Sequence, residues 1–273
     1  MSDAHHMIPS GIPPLDARLG GAITGRIHVL SGGPGTGKTT AGLQFLQQGL
    51  RLGETVAMLT ADRLTDLRSQ AAHFGIDLEA PLRQGRLVLL RYRPNFSALL
   101  QHMASPDEVL DDLRRLFLPP HARPTRVLID TVSPLVCSAP HAETALAALA
   151  ELLESIETTA LVTYAGDVTA GRGVGYDHRL EPLVERAAAI FHLTRQLGDR
   201  DLPHDARTSG EPIYRFNVLR VRQPVRSSAP APYSIAAGIG LTLFEAPRTG
   251  PRHRRDEAER PAYEPLTRAG NQP

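Results

Sequence analysis

The clearest chemical pattern in the chain lies in residues 31–40, which read Ser-Gly-Gly-Pro-Gly-Thr-Gly-Lys-Thr-Thr. They fit the phosphate-binding pattern G-x-x-x-x-G-K-[ST] at Gly32, Gly37, Lys38 and Thr39. Glycines let consecutive backbone N–H groups curl around phosphates, and a helix beginning near Lys38 adds the positive end of its dipole. The pattern therefore predicts a site for a nucleoside triphosphate. The expected contact residues are Gly33, Pro34, Gly35, Thr36, Gly37, Lys38, Thr39 and Thr40.

Lys38 is the only lysine of the chain, and the other 29 basic side chains among its lysines and arginines are arginines. A flat guanidinium cannot take the place of a compact ammonium inside a closed loop of amides. The alternative, a chance match in a glycine-rich turn, is expected in roughly 1% of chains of this length from average residue frequencies. We expect Lys38 to reach the β- and γ-phosphates and the Thr39 hydroxyl to bind Mg²⁺.

A second candidate is Asp130, which ends the apolar run Arg126-Val127-Leu128-Ile129. The run has the form of a Walker B element, a buried strand ending in a carboxylate. Open α/β sheets bind ligands at the carboxyl ends of their strands, so Asp130 would face the phosphates and share the Mg²⁺ with Thr39. The alternative is an acidic residue in the turn that follows a strand.

Apolar runs alternating with helical patterns indicate an α/β fold with a mostly parallel sheet flanked by helices. The last runs follow one another without helices, which predicts antiparallel strands at the C-terminal edge. The expected strands are 27–31, 55–60, 86–90, 126–131, 159–164, 187–193, 214–221, 234–235 and 241–244, and the expected helices 15–19, 38–50, 64–73, 106–116 and 142–155. Residues 166–182 and 196–212 read as loops, residues 1–246 as one ATPase domain, and residues 247–273 as a disordered tail.

Composition limits the possible functions. The net charge of +1 provides no overall field toward nucleic acid or an anionic membrane, and no apolar run is long enough to cross a membrane. The single cysteine excludes internal disulfides, and the eleven histidines show no metal-ligand spacing. The N-terminal residues contain no apolar run resembling a signal peptide, so we expect a cytoplasmic protein.

Together these segments resemble the KaiC-like branch of the RecA-type ATPases, and a single copy of the domain covers residues 8 to about 244. Before the phosphate-binding residues, the resemblance rests on Gly11-Ile12-Pro13-Pro14-Leu15-Asp16, Leu19-Gly20-Gly21 and Gly25-Arg26, and after them on Gln44-Phe45-Leu46. Asp130 falls in a segment similar to the family's V-I-D-S/T, and residues 218–222 are similar to its V-L-K-M-R.

The resemblance implies a RecA-like core, ATP with Mg²⁺ as ligand, and a homo-oligomer, a hexameric ring first of all, with each nucleotide between neighbouring subunits. Arg220 and Arg222 match the family's Lys and Arg that reach the neighbour's phosphates. A cation supplied in trans stabilises the charge of phosphoryl transfer, which agrees with this role. The alternative for arginines two apart on a strand is a solvated face of the sheet.

Two departures from the family pattern affect the expected activity. Where the family has two adjacent glutamates that polarise the attacking water, this chain has Asp62 and Arg63, so we expect weak hydrolysis. Gln223-Pro224 replaces a glycine and a small residue after the V-L-K-M-R segment. Apart from these two departures, Val184 and Glu185 occupy the place where the phosphorylated copy of the family's circadian-clock member carries adjacent Ser and Thr, so autokinase activity is not expected.

Three functions remain open from the sequence. The first is a slowly hydrolysing ATPase that acts as an oligomeric signalling switch for an unidentified protein partner. The second is a DNA-associated relative of RecA and RadA, which the low aromatic content and the few cations of residues 166–182 do not favour. The third is a scaffold that binds ATP only to assemble, for which Arg63 is the main support.

Overall fold

The computed structural model describes residues 6–92, 123–136, 142–166, 178–196 and 213–244. Its strands are β1 (Met7–Ile8), β2 (Ala22–Ile23), β3 (Ile27–Gly32), β4 (Val56–Thr60), β5 (Leu87–Arg91), β6 (Arg126–Asp130), β7 (Thr159–Tyr164), β8 (Ala189–Gln196), β9 (Ile213–Val221), β10 (Ala231–Ala236) and β11 (Gly240–Leu243). Its helices are α1 (Pro13–Leu19), α2 (Lys38–Arg51), α3 (Leu64–His73), α4 (Glu79–Arg83), α5 (Ser133–Val136), α6 (Ala142–Ser155) and α7 (Glu181–Arg186), with a 3₁₀ turn at His178–Leu180 before α7.

Nine of these strands form one sheet in the order β11-β10-β9-β8-β3-β7-β6-β4-β5. The pairs from β8 to β5 are parallel, and the pairs that join β8, β9, β10 and β11 are antiparallel. The first two strands, β1 and β2, pair separately. This arrangement confirms the α/β architecture and the antiparallel C-terminal edge expected from the sequence.

The sheet is covered on both faces, which explains why its central strands are apolar throughout rather than alternating. Leu30 of β3 packs with Leu43 and Leu46 of α2 on one face. On the other face, Val29 of the same strand packs with Leu146 and Leu149 of α6. Because β3 lies between both layers, the residues that follow it are held at the carboxyl edge of the sheet.

Two buried polar side chains were not anticipated. Arg126 at the start of β6 is fully buried and forms a paired contact with Glu54, Nε to Oε2 at 2.6 Å and Nη2 to Oε1 at 3.0 Å. Its guanidinium also lies 5.0 Å from the centre of the Phe45 ring. His28 of β3 is buried as well, with Nε2 3.0 Å from the Ile23 nitrogen and Nδ1 3.1 Å from the Ala160 carbonyl oxygen.

Most predicted elements agree with the structure to within a few residues. The helices at 64–73 and 142–155 have the predicted bounds, whereas β8 continues to Gln196, beyond the predicted end at 193. The predicted loop at 166–182 is wrong at its end, where His178–Leu180 form the 3₁₀ turn and α7 begins at Glu181. The predicted helix at 106–116, most of the two loops and the tail at 247–273 lie outside the described residues. Within the described ranges, no helix is long and apolar enough to cross a membrane.

Candidate functional site

The phosphate-binding residues form the connection between β3 and α2. We call residues 33–37, which lie between these two elements, the phosphate loop. Gly37 lies just before α2 with φ of 86°, a left-handed conformation that glycine adopts without strain. A Cβ on Gly37 would lie 2.8 Å from Cδ1 of Ile235, so β10 also restricts this position to glycine. A Cβ on Gly32 would lie 2.6 Å from the Leu193 carbonyl oxygen of β8. The loop is therefore enclosed by two neighbouring strands.

Backbone donors of this loop remain available for an anion. The N–H groups of Lys38, Thr39 and Thr40 belong to the first turn of α2, where no intrahelical acceptor exists, whereas Ala41 donates to Gly37 O at 2.8 Å. The Thr40 side chain is buried. Residues 33–35 at the outer side of the loop are exposed. The arrangement matches the anion sites formed at helix N-termini.

The Lys38 ammonium lies over the beginning of the loop. Its Nζ is 2.8 Å from the carbonyl oxygen of Gly32 and 2.8 Å from that of Gly33. Burial lowers the pKa of Lys38, and the charge of Asp130 acts in the opposite direction. The lysine thus contacts the loop and is close enough to the carboxylate that ends β6 for the two charges to interact.

Asp130 is 5% exposed and is held by the hydroxyl group of Thr163. Thr163 of β7 donates to Asp130 Oδ1 at 2.6 Å. Burial raises the pKa of Asp130; side-chain hydrogen bonds from Thr163 and Thr39 lower it, the Asp62 charge raises it, and Lys38 lowers it. Asp130 therefore lies near Thr39 and Lys38 at the carboxyl edge of the sheet. Its role at a metal ion stays a prediction.

These oxygen atoms fit Mg²⁺. A buried carboxylate next to a threonine hydroxyl provides hard oxygen ligands, and Mg²⁺ in nucleotide sites uses few protein ligands because phosphates and waters complete its shell. Among the described residues no group of three or more His, Cys, Asp or Glu side chains could hold a metal ion by itself. A metal here would depend on the nucleotide.

Asp62 and Arg63 are exposed and follow β4 directly. The Ala61 N–H donates to the Asp130 carbonyl oxygen at 2.9 Å, which joins the ends of β4 and β6. The Asp62 N–H donates to Thr60 Oγ1 at 3.1 Å. Because the charge of Asp62 affects the pKa of Asp130, the two carboxylates are close enough to interact.

Arg220 and Arg222 are placed elsewhere. Arg220 donates through Nη2 to the carbonyl oxygens of Val184 and, at 3.1 Å, Ala187, and Arg222 donates through Nη2 to that of Glu185. Arg220 is paired with Ile190, near the beginning of β8, whereas Gly32 is paired with Leu193 nearer its end. Both arginines therefore contact the end of α7 and do not reach the phosphate loop of their own chain.

Two side chains to which the sequence analysis gave no role connect the loop and α2 to the C-terminal strands. The Tyr233 hydroxyl of β10 donates to the Thr36 carbonyl oxygen at 2.6 Å. Gln44 of α2 donates to the carbonyl oxygens of Ile239 and Leu241 at 3.2 and 3.1 Å and accepts from Leu241 N–H at 3.0 Å. A tyrosine in a strand and a glutamine in a helix are common residues and predict no particular role from the sequence. Their contacts become visible only when the order of the strands in the sheet is known.

A family model described as the KaiC ATPase matches residues 8–246. A UPF0273 protein of Aeropyrum pernix is 32% identical over 195 residues, which cover 66% of this chain and 74% of that protein. A UPF0273 protein of Pyrobaculum aerophilum is 29% identical over 194 residues, 65% of this chain and 67% of that protein. The circadian clock oscillator protein KaiC of a Picosynechococcus species is 31% identical over 130 residues, 47% of this chain but 23% of the clock protein.

One of the solved structures that are similar in fold covers most of this chain. The crystal structure of a KaiC-like protein from Pyrococcus horikoshii superposes with a TM-score of 0.68 at 23% identity, covering 88% of this chain and all of that one. At this identity the likeness concerns the fold, and it confirms the RecA-like core that the sequence motifs implied.

Proposed function

The chain belongs to the family of KaiC ATPases, and we propose that it binds Mg-ATP, hydrolyses it slowly, and acts as an oligomeric switch read by a partner protein. The observation that carries this proposal is the cluster of Lys38, Thr39 and Asp130 at the mouth of the phosphate loop. An ammonium, a hydroxyl and a buried carboxylate converge there with unpaired N–H groups of a helix N-terminus.

ATP binding follows from this arrangement. The N–H groups of the loop and of the first turn of α2 surround the β-phosphate, and Lys38 exchanges its contacts with the Gly32 and Gly33 carbonyls for contacts with the β- and γ-phosphates. Gly33, Pro34 and Gly35 form the exposed side over which the nucleotide enters.

Thr39 and Asp130 would hold Mg²⁺, Thr39 through its hydroxyl and Asp130 through its carboxylate. An ion held there would supply positive charge to the phosphate oxygens during phosphoryl transfer. The Thr163 hydroxyl keeps the Asp130 carboxylate oriented toward Thr39 by its 2.6 Å hydrogen bond. A supporting hydrogen bond of this kind limits the side-chain positions that the carboxylate can take.

The slow hydrolysis in this proposal follows from Asp62 and Arg63, the residues that lie after β4. Asp62 is the carboxylate that orients the attacking water, and it is one methylene shorter than a glutamate. A displacement of about 1 Å can reduce a rate on the order of 100-fold. Arg63 next to it is cationic and cannot accept the proton of the water.

Assembly into a ring accounts for the positions of Arg220 and Arg222. Their guanidinium groups lie away from the phosphate loop of their own subunit, so a role in hydrolysis requires a neighbour. In a ring, hexameric in our proposal, each pair of arginines serves the nucleotide of the adjacent subunit. Binding and hydrolysis would then change the subunit contacts that a partner protein reads.

The test combines native mass with single-turnover hydrolysis on the full chain, each with and without Mg-ATP. We expect a larger assembly and slow ADP formation with Mg-ATP, and neither in Lys38→Ala. Assembly without any ADP formation would contradict the switch and would favour a scaffold that binds ATP only to assemble. Tight, salt-dependent binding of single-stranded DNA would favour the DNA-associated function instead.

A further inference from the structure

Strand β8 extends beyond the point at which β3 ends. Gly32, the last residue of β3, is paired with Leu193, whereas β8 continues to Gln196. The last residues of β8 therefore run beside the phosphate loop rather than beside a strand. Among them is Arg195, which no motif singles out.

Arg195 lies on the face of the sheet that carries α2. Phe191 and Leu193 of β8 pack in the core layer of that face, and strand residues two apart share a face. The Nη1 atom of Arg195 lies 3.5 Å from the position that a Cβ on Gly35 would occupy. The guanidinium is thus at the outer side of the loop, where residues 33–35 are exposed.

The neighbouring strands fix this position. Arg195 is paired with Tyr214 of β9, and Tyr214 is paired with Tyr233 of β10, so the three side chains form one row across the sheet. The two tyrosine rings are 5.4 Å apart, and the Tyr233 hydroxyl binds the Thr36 carbonyl oxygen. The row leads directly from Arg195 to the loop.

Arg195 lies near two other sources of positive potential, although the Asp130 carboxylate offsets part of the Lys38 charge. The N-terminus of α2 is the positive end of a helix dipole, and the Lys38 ammonium lies over the same loop. Within the described part of the chain, no ion pair or hydrogen bond joins the Arg195 side chain to another residue, and the side chain is exposed. Two cations at a helix N-terminus indicate an anionic ligand between them.

We propose that Arg195 binds the β- or γ-phosphate of the nucleotide held by its own subunit. This inference rests on the proposed function, because it takes the ligand to be a nucleoside triphosphate. Arg195 differs from Arg220 and Arg222 in acting without a neighbour. The polyphosphate then lies between the Lys38 ammonium on the strand side and the Arg195 guanidinium on the open side of the loop.

The test measures dissociation constants of Mg-ATP, Mg-ADP and AMP for Arg195→Gln, Arg195→Lys and the wild-type chain. Loss of one charge-assisted contact should weaken ATP about tenfold and AMP less than twofold. Arg195→Lys keeps the charge and should recover part of the loss. Arg51→Gln is the matched control, an exposed arginine at the opposite end of α2, and should bind as the wild type.

Repeating the measurement with Arg220→Ala/Arg222→Ala tests the cis assignment, since the loss in Arg195→Gln should persist there. Unchanged ATP affinity in Arg195→Gln would overturn the inference and leave the proposed function standing. Equal losses for ATP and AMP would also overturn it, because they would mean a disturbed site rather than a phosphate contact. Failure of the wild-type chain itself to bind ATP would refute the proposed function.

Discussion

Tyr233 and Thr36 are joined by a 2.6 Å hydrogen bond from the tyrosine hydroxyl to the threonine carbonyl oxygen. The bond connects β10, at the antiparallel edge, to the middle of the phosphate loop. Burial raises the pKa of the Tyr233 hydroxyl, so this group stays protonated and remains a donor. The loop is therefore held by a strand that begins almost two hundred residues further along the chain.

Tyr233→Phe should remove this bond and keep the ring contact with Tyr214. We expect the free energy of unfolding to fall by about 1–2 kcal/mol, because the Thr36 carbonyl loses its buried partner. ATP affinity should fall several-fold as the loop loses its support. Urea unfolding and nucleotide titration measure the two effects, and unchanged ATP binding with lower stability would limit Tyr233 to a role in the fold.

Asp130→Asn tests the proposed metal site with little change in side-chain shape. The amide oxygen can still accept from Thr163, and burial of an ionised carboxylate is no longer required, so thermal stability should be retained. The half-saturating Mg²⁺ concentration for hydrolysis should rise at least about tenfold. A Mg²⁺ titration of single-turnover hydrolysis would contradict the assignment if the curve did not move.

Variants of Asp62 test the proposed origin of the proposed slow turnover. Asp62→Asn should bind ATP as the wild type but lose most of its hydrolysis, because an amide cannot accept the proton of the water. Asp62→Glu should be faster than the wild type, since it restores the missing methylene. Single-turnover rates at saturating ATP separate the three forms, and equal rates would mean that Asp62 does not act on the water.

Mixing two inactive proteins tests the trans role of Arg220 and Arg222. Lys38→Ala subunits cannot hold ATP, and Arg220→Ala/Arg222→Ala subunits hold ATP but lack the arginines for their neighbour. In a random mixture, about a quarter of the interfaces join an intact loop to intact arginines, so about a quarter of the wild-type rate should return. No recovery in mixed assemblies confirmed by native mass would mean that the arginines serve only α7.

His28 predicts a pH dependence of stability. Burial lowers the pKa of His28 from 6.5 to about 4, and its two ring nitrogens are already engaged with Ile23 and Ala160. The folded protein keeps His28 neutral between these values while the unfolded chain takes up a proton. The contribution of His28 to the free energy of unfolding should therefore be constant above pH 6.5 and should decrease as the pH is lowered below this value. At pH 5 the free energy of unfolding should be about 2 kcal/mol lower because of this group.

Urea unfolding at pH 7.5, 6 and 5 measures this slope. The control is His73→Gln, which removes an exposed histidine of α3 and should leave the slope unchanged. A pH-independent free energy of unfolding between pH 6.5 and 5 would contradict the prediction.

The features that could be predicted from the sequence are those set by residues adjacent in the chain. Glycine spacing defines the phosphate loop, and the apolar run before Asp130 defines its strand, so both could be located without a structure. The ion pair of Arg126 with Glu54 and the bond from Tyr233 to Thr36 depend on which strands and helices lie side by side. No local pattern indicates these neighbours. The same reason explains why the α7 contacts of Arg220 and Arg222 were not expected.

The contacts of Gln44 with the strand β11 have a consequence for synthesis of the protein. The helix that carries the phosphate loop is made early, but Leu241, with which Gln44 exchanges two hydrogen bonds, is made about two hundred residues later. Until that segment has left the ribosome, α2 lacks its contacts with β11 and the loop lacks Tyr233. Nucleotide binding at full affinity would then mark a finished chain, and a ribosome-bound fragment ending before β10 would bind ATP more weakly than the released protein.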